Sequence, residues 1–136
     1  MNQMTAFKSI AEEYAHKIWN EKDLSVIDDL IHPEIVIHSL LGDYKGTEPM
    51  KKVVEAWLIA FPDLVVKNRN IVCQQDLVVI QWEAQGTHLW EFKGIAPTNK
   101  RVVYEGVTIY KVCNSKIIEY WAYLDMHHLL EQIKQS

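Results

Sequence analysis

The chain has 136 residues, of which 49% are apolar and 24% are charged, and its formal net charge is −4. This balance is typical of a single globular domain. It argues against a nucleic-acid partner, because Lys100 and Arg101 are an isolated basic pair and the sequence holds no Lys/Arg stripe that could neutralise phosphates.

The sequence also disfavours membrane and secreted classes. No segment approaches the ~18 consecutive apolar residues that span a bilayer, and the stretch from Met1 to Lys8 lacks the apolar core of a secretory signal. Cys73 and Cys113 lie in apolar, strand-like runs and are predicted to be reduced thiols in or near the core. We therefore expect a cytoplasmic protein without a membrane partner.

The first half of the chain is predicted to be mainly helical. A first helix is indicated by apolar residues at helical spacing, namely Phe7, Ile10, Tyr14 and Ile18. Asp23 is predicted to cap a short second helix, which Pro33 ends. A β-rich run over residues 35–40 predicts a strand. Thr47 is then predicted to cap a third helix that stops at Pro62.

From Leu64 onward the pattern changes to long β-rich segments. Four strands are predicted: Leu64–Gln75, Leu77–Thr87, Arg101–Cys113 and Lys116–Leu124. Strands joined by short turns are antiparallel neighbours, and a last amphipathic helix is predicted from Met126 to Gln135. No repeat or linker appears, so residues 1–136 are predicted to form one α+β domain, with helices on one face of a curved antiparallel sheet.

Several phrases in this order resemble the SnoaL-like branch of the NTF2-like superfamily. They are Ala60-Phe61-Pro62-Asp63-Leu64, Gly86-Thr87-His88, Phe92-Lys93-Gly94-Ile95-Ala96-Pro97-Thr98, and Lys116-Ile117-Ile118-Glu119-Tyr120-Trp121 with Asp125 four residues later. Together they cover nearly the whole chain. The resemblance implies a conical fold with a small-molecule cavity between the sheet and the first helices. It also implies a homodimer formed through the outer face of the sheet.

The resemblance implies a range of activities rather than one. Members close polyketide rings by intramolecular aldol chemistry, and relatives isomerise steroids, open epoxides, dehydrate small molecules or only bind ligands. In the aromatic polyketide cyclases an Asp on the last strand moves the proton, supported by a Gln and a His on the preceding strand. Those positions hold Ala122, Gly106 and Thr108 here, and none of these side chains can act as the base that the reaction requires.

Alternation along the strands predicts which side chains face the cavity. On the strand after Asp76, the apolar set places Trp82 deep in the cavity wall and His88 at its rim. On the last strand, Tyr120 and Ala122 fall on the cavity side and Trp121 on the opposite side. On the strand Arg101–Cys113 both faces carry apolar residues, so its orientation stays open.

Three residues are the candidates for acid/base chemistry. His38 interrupts an apolar strand and is predicted either to act in the pocket or to be hydrogen-bonded in its wall. His88 is predicted either to act at the rim or to pack the loop that leads to Pro97. Asp125 is predicted first to cap the helix that begins at Met126. Its second interpretation is a general base whose pKa is raised by apolar neighbours.

The sequence is rich in aromatic residues, and these either line an apolar pocket or simply pack the core. The residues predicted to contact a ligand are Tyr14, Trp19, Trp57, Phe61, Trp82, Tyr104, Thr108 and Tyr120. Trp90 and Trp121 are assigned instead to a subunit interface, where tryptophan is enriched.

No metal or cofactor is predicted. His127 and His128 are adjacent on a helix and point about 100° apart, so they cannot chelate one ion, and no Gly-rich phosphate loop is present. Two functions remain open. One is a cofactor-free enzyme of the cyclase or isomerase type that acts on a small apolar carbonyl compound through His38, His88 and Asp125. The other is a binding or accessory protein that kept the pocket but lost the acid/base residues.

Overall fold

The computed structural model describes residues 3–134, with side chains from residue 5 onward. Its α-helices are α1 (Gln3–Ala15), α2 (Ile27–Leu30), α3 (Thr47–Ala60) and α4 (Met126–Lys134). Helix α1 continues as one π-helical turn (His16–Asn20), and a 3-10 turn (Leu24–Val26) leads into α2. Its strands are β1 (Ile31–Ser39), β2 (Gly42–Lys45), β3 (Val65–Gln74), β4 (Leu77–Thr87), β5 (Arg101–Cys113) and β6 (Lys116–Leu124).

The six strands form one sheet in the order β2-β1-β6-β5-β4-β3. The predicted α+β class is confirmed, and so are the antiparallel pairs among β3, β4, β5 and β6. The sheet is mixed rather than antiparallel throughout, because β1 runs parallel to β6, with Ile37 opposite Tyr120. A parallel pair needs a long connection, and here α3 and four strands lie between the two partners along the chain.

The start of β1 differs from the sequence prediction. The strand begins at Ile31 rather than at Ile35, and α2 has already ended at Leu30. Pro33 therefore lies inside β1, where the register against β6 shifts between Ile31 and Val36. Because proline has no N–H to donate, it is tolerated at such an irregularity. The prediction that Pro33 ends the second helix is wrong.

The helix starts are confirmed in one case and corrected in another. The Asp23 carboxylate accepts a hydrogen bond from the Ser25 N–H, as expected of an N-cap. Thr47 is instead the first residue of α3, and the capping position is occupied by Gly46 at φ 98° without a side-chain cap. Gln135, the predicted end of the last helix, lies outside the described residues.

The helices pack against one face of the sheet, where the buried apolar residues of β4 and β5 form the core. Helix α4 covers the end of β5 that extends beyond β6. There the Gln132 side-chain amide accepts from the Val103 N–H at 2.9 Å and donates to the Val103 carbonyl at 2.8 Å. None of the helices in residues 3–134 has the length and apolarity to cross a membrane.

Candidate functional site

A cavity of about 70 Å³ lies between the inner face of the sheet and helices α1 and α3. The helical side contributes Tyr14, Ala15, Trp19 and Trp57, and the remaining wall consists of Leu64, Val66, Asn68, Ile80, Trp82, Ala84, Tyr104, Thr108, Tyr110, Tyr120, Ala122 and Leu124. Of the eight predicted ligand contacts, Phe61 alone is missing from this wall.

The strand faces follow the alternation of the sequence. Trp82 on β4 and Tyr120 on β6 line the cavity as predicted. The choice left open on β5 is settled in favour of the set that contains Tyr104 and Thr108. The competing residue Val103 lies on the outer face, where it is 42% exposed.

Three tyrosines in the cavity wall, Tyr14, Tyr110 and Tyr120, form one cluster that we call the cavity phenols. The Tyr110 ring centroid lies 5.8 Å from that of Tyr14 and 5.9 Å from that of Tyr120. Burial raises the pKa of all three hydroxyls, and the neighbouring phenols raise the pKa of Tyr14 further. The cavity phenols are therefore protonated at neutral pH and can serve as hydrogen-bond donors.

The buried Tyr14 hydroxyl, in a residue only 1% exposed, makes no well-aligned hydrogen bond in the described part of the chain, and Tyr120 is the neighbour that acts on its pKa as a hydrogen-bonding group. Buried polar side-chain atoms are nearly always paired, and an unpaired one costs about 1–3 kcal/mol. Because Tyr14 lines the cavity, an acceptor atom of a bound ligand would pair with this hydroxyl.

Trp82 is held in one orientation by three neighbours. Its indole N–H donates to the Thr108 hydroxyl at 2.9 Å, and its ring meets Tyr104 edge to face at a centroid distance of 5.8 Å. A side chain at Gly106 would collide with this ring, because a Cβ there would lie 2.4 Å from the Trp82 Cζ2 atom. The small residue at position 106 therefore lets the indole lie flat over β5.

Trp19 reaches the cavity from the π-helical turn that ends α1. The next residue, Asn20, fastens this turn to the edge strand β3, since its amide donates to the Val66 carbonyl at 2.9 Å and accepts from the Val66 N–H at 2.7 Å. The Lys22 ammonium donates to the Leu64 carbonyl at 2.6 Å. Helical periodicity alone gives no signal for such a turn, so the sequence did not reveal how Trp19 is positioned.

Asp125 and His38 both lie outside the cavity wall. Asp125 is exposed and its Oδ1 accepts from the His128 N–H at 2.9 Å, which confirms the predicted cap of α4. His38 is on the outer face of the sheet, because Ile35 and Ile37 take the inner face of β1. Its Nε2 lies 2.8 Å from the Glu119 carboxylate.

His88 is fully buried but packs into the loop between β4 and β5 rather than into the cavity. Its Nδ1 lies 3.0 Å from the Thr98 hydroxyl and accepts from the Thr98 N–H at 3.3 Å. Burial lowers its pKa, an effect that the Trp90 backbone and the Glu91 carboxylate partly oppose. The ring also packs against Phe61 at a centroid distance of 5.7 Å.

Two of the phrases that carried the family resemblance meet in space. The Asp63 carboxylate accepts from both the N–H and the hydroxyl of Thr87, each at 2.7 Å. A Cβ at Gly86 would lie 3.2 Å from that carboxylate. The phrase around Asp63 and the phrase around His88 therefore fasten the end of α3 to the end of β4, beside the cavity and not inside it.

Side chains in the cavity wall can donate hydrogen bonds, but none of them is of a type that commonly acts as a general base. Among the described residues that line it, none is a carboxylate, an imidazole, an amine or a thiol. The polar groups are the cavity phenols, Tyr104, Thr108, Asn68 and tryptophan N–H groups. Within residues 3–134, no cluster of His, Cys, Asp or Glu is arranged to hold a metal ion.

The comparison with protein families agrees with this architecture. Residues 9–133 match the family model described as SnoaL-like polyketide cyclase. Because the match spans nearly the entire chain, the protein belongs to the SnoaL-like polyketide cyclase family.

Solved structures of similar proteins show the same fold. AclR from Streptomyces galilaeus, described as a candidate hydroxylase, is 31% identical, with a TM-score of 0.85 over 96% of this chain and 97% of its own. IdmH from Streptomyces antibioticus, described as a candidate polyketide cyclase, is 28% identical, with a TM-score of 0.79 over 93% and 99%. TsrD from Streptomyces laurentii is 19% identical, with a TM-score of 0.86 over 98% of each chain, and shows the fold alone. No curated protein matches the chain significantly.

Proposed function

We propose that the protein binds a small, neutral, apolar carbonyl compound in its cavity and that the cavity phenols donate hydrogen bonds to the carbonyl oxygen. The observation that carries this proposal is the buried Tyr14 hydroxyl, which lines the cavity beside the Tyr120 phenol and makes no well-aligned hydrogen bond among the described residues. A carbonyl oxygen accepts two hydrogen bonds and would pair with it.

The lining favours a neutral ligand over a charged one. No cationic side chain among the described residues lines the wall, so a carboxylate ligand would lose its hydration without gaining a counter-charge. Trp19, Trp57 and Trp82 supply flat apolar surfaces, which is the usual composition of a site for an apolar compound with a few polar anchors.

Binding without catalysis is the function that the wall supports best. Aldol chemistry needs a base within reach of the acidic carbon, and the described wall holds none. Positions that the resemblance assigns to the cyclase acid/base groups hold Gly106, Thr108 and Ala122, and the indole of Trp82 lies over the first of these. His38, His88 and Asp125 receive no catalytic role, since they lie outside the wall.

A cofactor-free cyclase or isomerase is the second candidate, and the same Tyr14 hydroxyl favours it. A preorganised donor aimed at a carbonyl stabilises the enolate oxygen as negative charge develops, so the phenols could accelerate loss of a proton to water. The relative IdmH is itself described as a candidate polyketide cyclase. This activity would appear as faster hydrogen–deuterium exchange at the α-carbon of a bound ketone, measured by NMR.

Tryptophan fluorescence tests the binding proposal directly. We expect cyclohexanone to change the emission saturably, and methylcyclohexane and cyclohexanecarboxylate to bind more weakly. Tyr14→Phe should reduce the affinity for cyclohexanone, while Tyr123→Phe, an exposed tyrosine outside the cavity wall, should not. Equal binding of the ketone and the hydrocarbon would contradict a role for the hydroxyl.

A homodimer through the outer face of the sheet is also part of the proposal. An apolar row crosses four strands on this face, with Val72, Val79, Ile109 and Trp121 in adjacent register positions. Val72 is 61% exposed in the single chain, and such a row is typical of an interface. Ile109→Lys should shift the sedimentation coefficient to that of a monomer, whereas Lys111→Gln on the same strand should leave it unchanged.

A further inference from the structure

A second, open groove of about 260 Å³ lies on the surface beside α3. Its apolar lining includes Leu41 from the turn between β1 and β2, Ile59 from α3, and Trp90 and Phe92 from the loop between β4 and β5. Ile59 is 53% exposed and Trp90 is 61% exposed. Large apolar side chains clustered at a concave surface are typical of a binding site.

One pair of aromatic rings in contact links the wall of the cavity to the wall of the groove. Trp57 lines the cavity and Phe92 lines the groove, and their ring centroids are 4.9 Å apart. Ala56, the residue before Trp57, also lines the groove. The two spaces therefore adjoin at this ring pair, and a ligand that occupied both would displace the two rings from each other.

The sizes of the two spaces explain why a ligand would use both. The cavity holds about 70 Å³, well below the ~300–1,000 Å³ of common small-molecule sites. It accommodates a compact ketone head of a few carbons but not a long chain. The groove offers several times that volume, with an apolar floor.

We propose that the groove is a second subsite of the ligand site and takes an uncharged alkyl tail. This inference rests on the proposed function. The carbonyl head lies in the cavity, and the tail passes between Trp57 and Phe92 to lie against Ile59 and Trp90. The ligand class is thus a linear ketone or ester with a medium-length chain.

The charged side chains that line the groove favour an uncharged tail as its occupant. Its two charged residues, Glu91 and Lys93, have opposite signs. The Glu91 carboxylate already accepts from the Gly94 N–H at 2.6 Å. No net charge of either sign is therefore presented to the occupant by the described residues of this groove.

A series of 2-alkanones from butanone to dodecanone tests the subsite by calorimetric titration. In the wild-type chain, affinity should continue to rise by about fourfold per methylene group beyond the length that the cavity alone can hold, with one ketone bound per chain. Ile59→Gln and Trp90→Ala should flatten this rise for the long ketones and leave butanone binding unchanged. Leu40→Gln, at an exposed apolar residue that lines neither the cavity nor the groove, is the matched control.

Four outcomes would overturn the subsite. Affinity could level off at short chains, or the two groove variants could bind decanone as tightly as the wild-type chain. Two ketones could bind per chain, which would indicate independent sites. Ile59→Gln could change the sedimentation coefficient but not the affinity, which would make the groove a contact between copies. If no ketone binds at all, even butanone, the proposed function fails first and the subsite fails with it.

Discussion

Replacing Tyr14 by phenylalanine should change stability and binding in opposite directions. The variant removes one buried hydroxyl that makes no well-aligned hydrogen bond in the described chain and keeps the ring that packs against Tyr110. An unpaired buried polar group costs about 1–3 kcal/mol, so the ligand-free variant should be more stable than the wild-type chain. For a domain of this length each kcal/mol corresponds to roughly 3–5 °C in Tm.

The same variant should bind a neutral ketone more weakly. One hydrogen bond to a neutral acceptor contributes about 0.5–1.5 kcal/mol, so the dissociation constant should rise about two- to twelvefold. Differential scanning calorimetry without ligand and fluorescence titration with cyclohexanone measure the two effects on the same preparation. A lower Tm, or an unchanged affinity, would refute the assignment of this hydroxyl as a vacant donor, because a merely structural tyrosine would lose stability on losing its hydroxyl.

Three further predictions concern the rest of the site. Asp125→Ala should lose about 0.5–2 kcal/mol of unfolding free energy with its helix cap and keep its ketone affinity; an affinity loss would place Asp125 in the site. Ala122→Asp places a carboxylate in the cavity wall beside Thr108, and should accelerate deuterium exchange at the α-carbon of bound cyclohexanone; an unchanged rate would show that a base at this position cannot reach the ligand. Burial raises the pKa of the cavity phenols. The free energy of unfolding therefore keeps its full value at pH values below the pKa of about 10 that tyrosine has in the unfolded chain, and it falls as the pH rises above that value. Absorbance at 295 nm should therefore show these phenols ionising together with alkaline unfolding, and ionisation within the folded chain would contradict their burial.

The cavity wall could be predicted on the strands because each strand alternates strictly over the cavity. Trp82 and Tyr120 were assigned to the inner face from period two alone, and both line the cavity. On β5 the pattern was ambiguous, since valines and isoleucine occupy the outer face as well. The apolar outer row at Ile109 and Trp121 accounts for this ambiguity, because it puts apolar residues on both faces of the strand.

The sequence left two interpretations open for each polar candidate, because each lies where a strand pattern is locally irregular or ends. His38 follows a register shift in β1, so its face could not be counted from the start of the strand. His88 comes directly after the last residue of β4 and turns into the loop, where Thr98 holds it. Asp125 comes directly after β6, and the start of α4 takes its carboxylate as a cap.

The family phrases predicted the fold better than the site, for a physical reason. Asp63 and Thr87 bond each other across the junction of α3 and β4, so this pair preserves the shape of the cone whatever the cavity binds. Two groups that shape this cavity, Tyr14 and the small Gly106, lie outside those phrases and depend on neighbours brought together only by folding.

The most direct test of the central claim is the ¹³C NMR shift of a ketone labelled at its carbonyl carbon and bound to the protein. If the cavity phenols donate to the carbonyl oxygen, the resonance should move downfield from its position in an apolar solvent, and Tyr14→Phe should reverse part of that movement. A bound ketone whose carbonyl resonance stays at the apolar-solvent position would contradict the account.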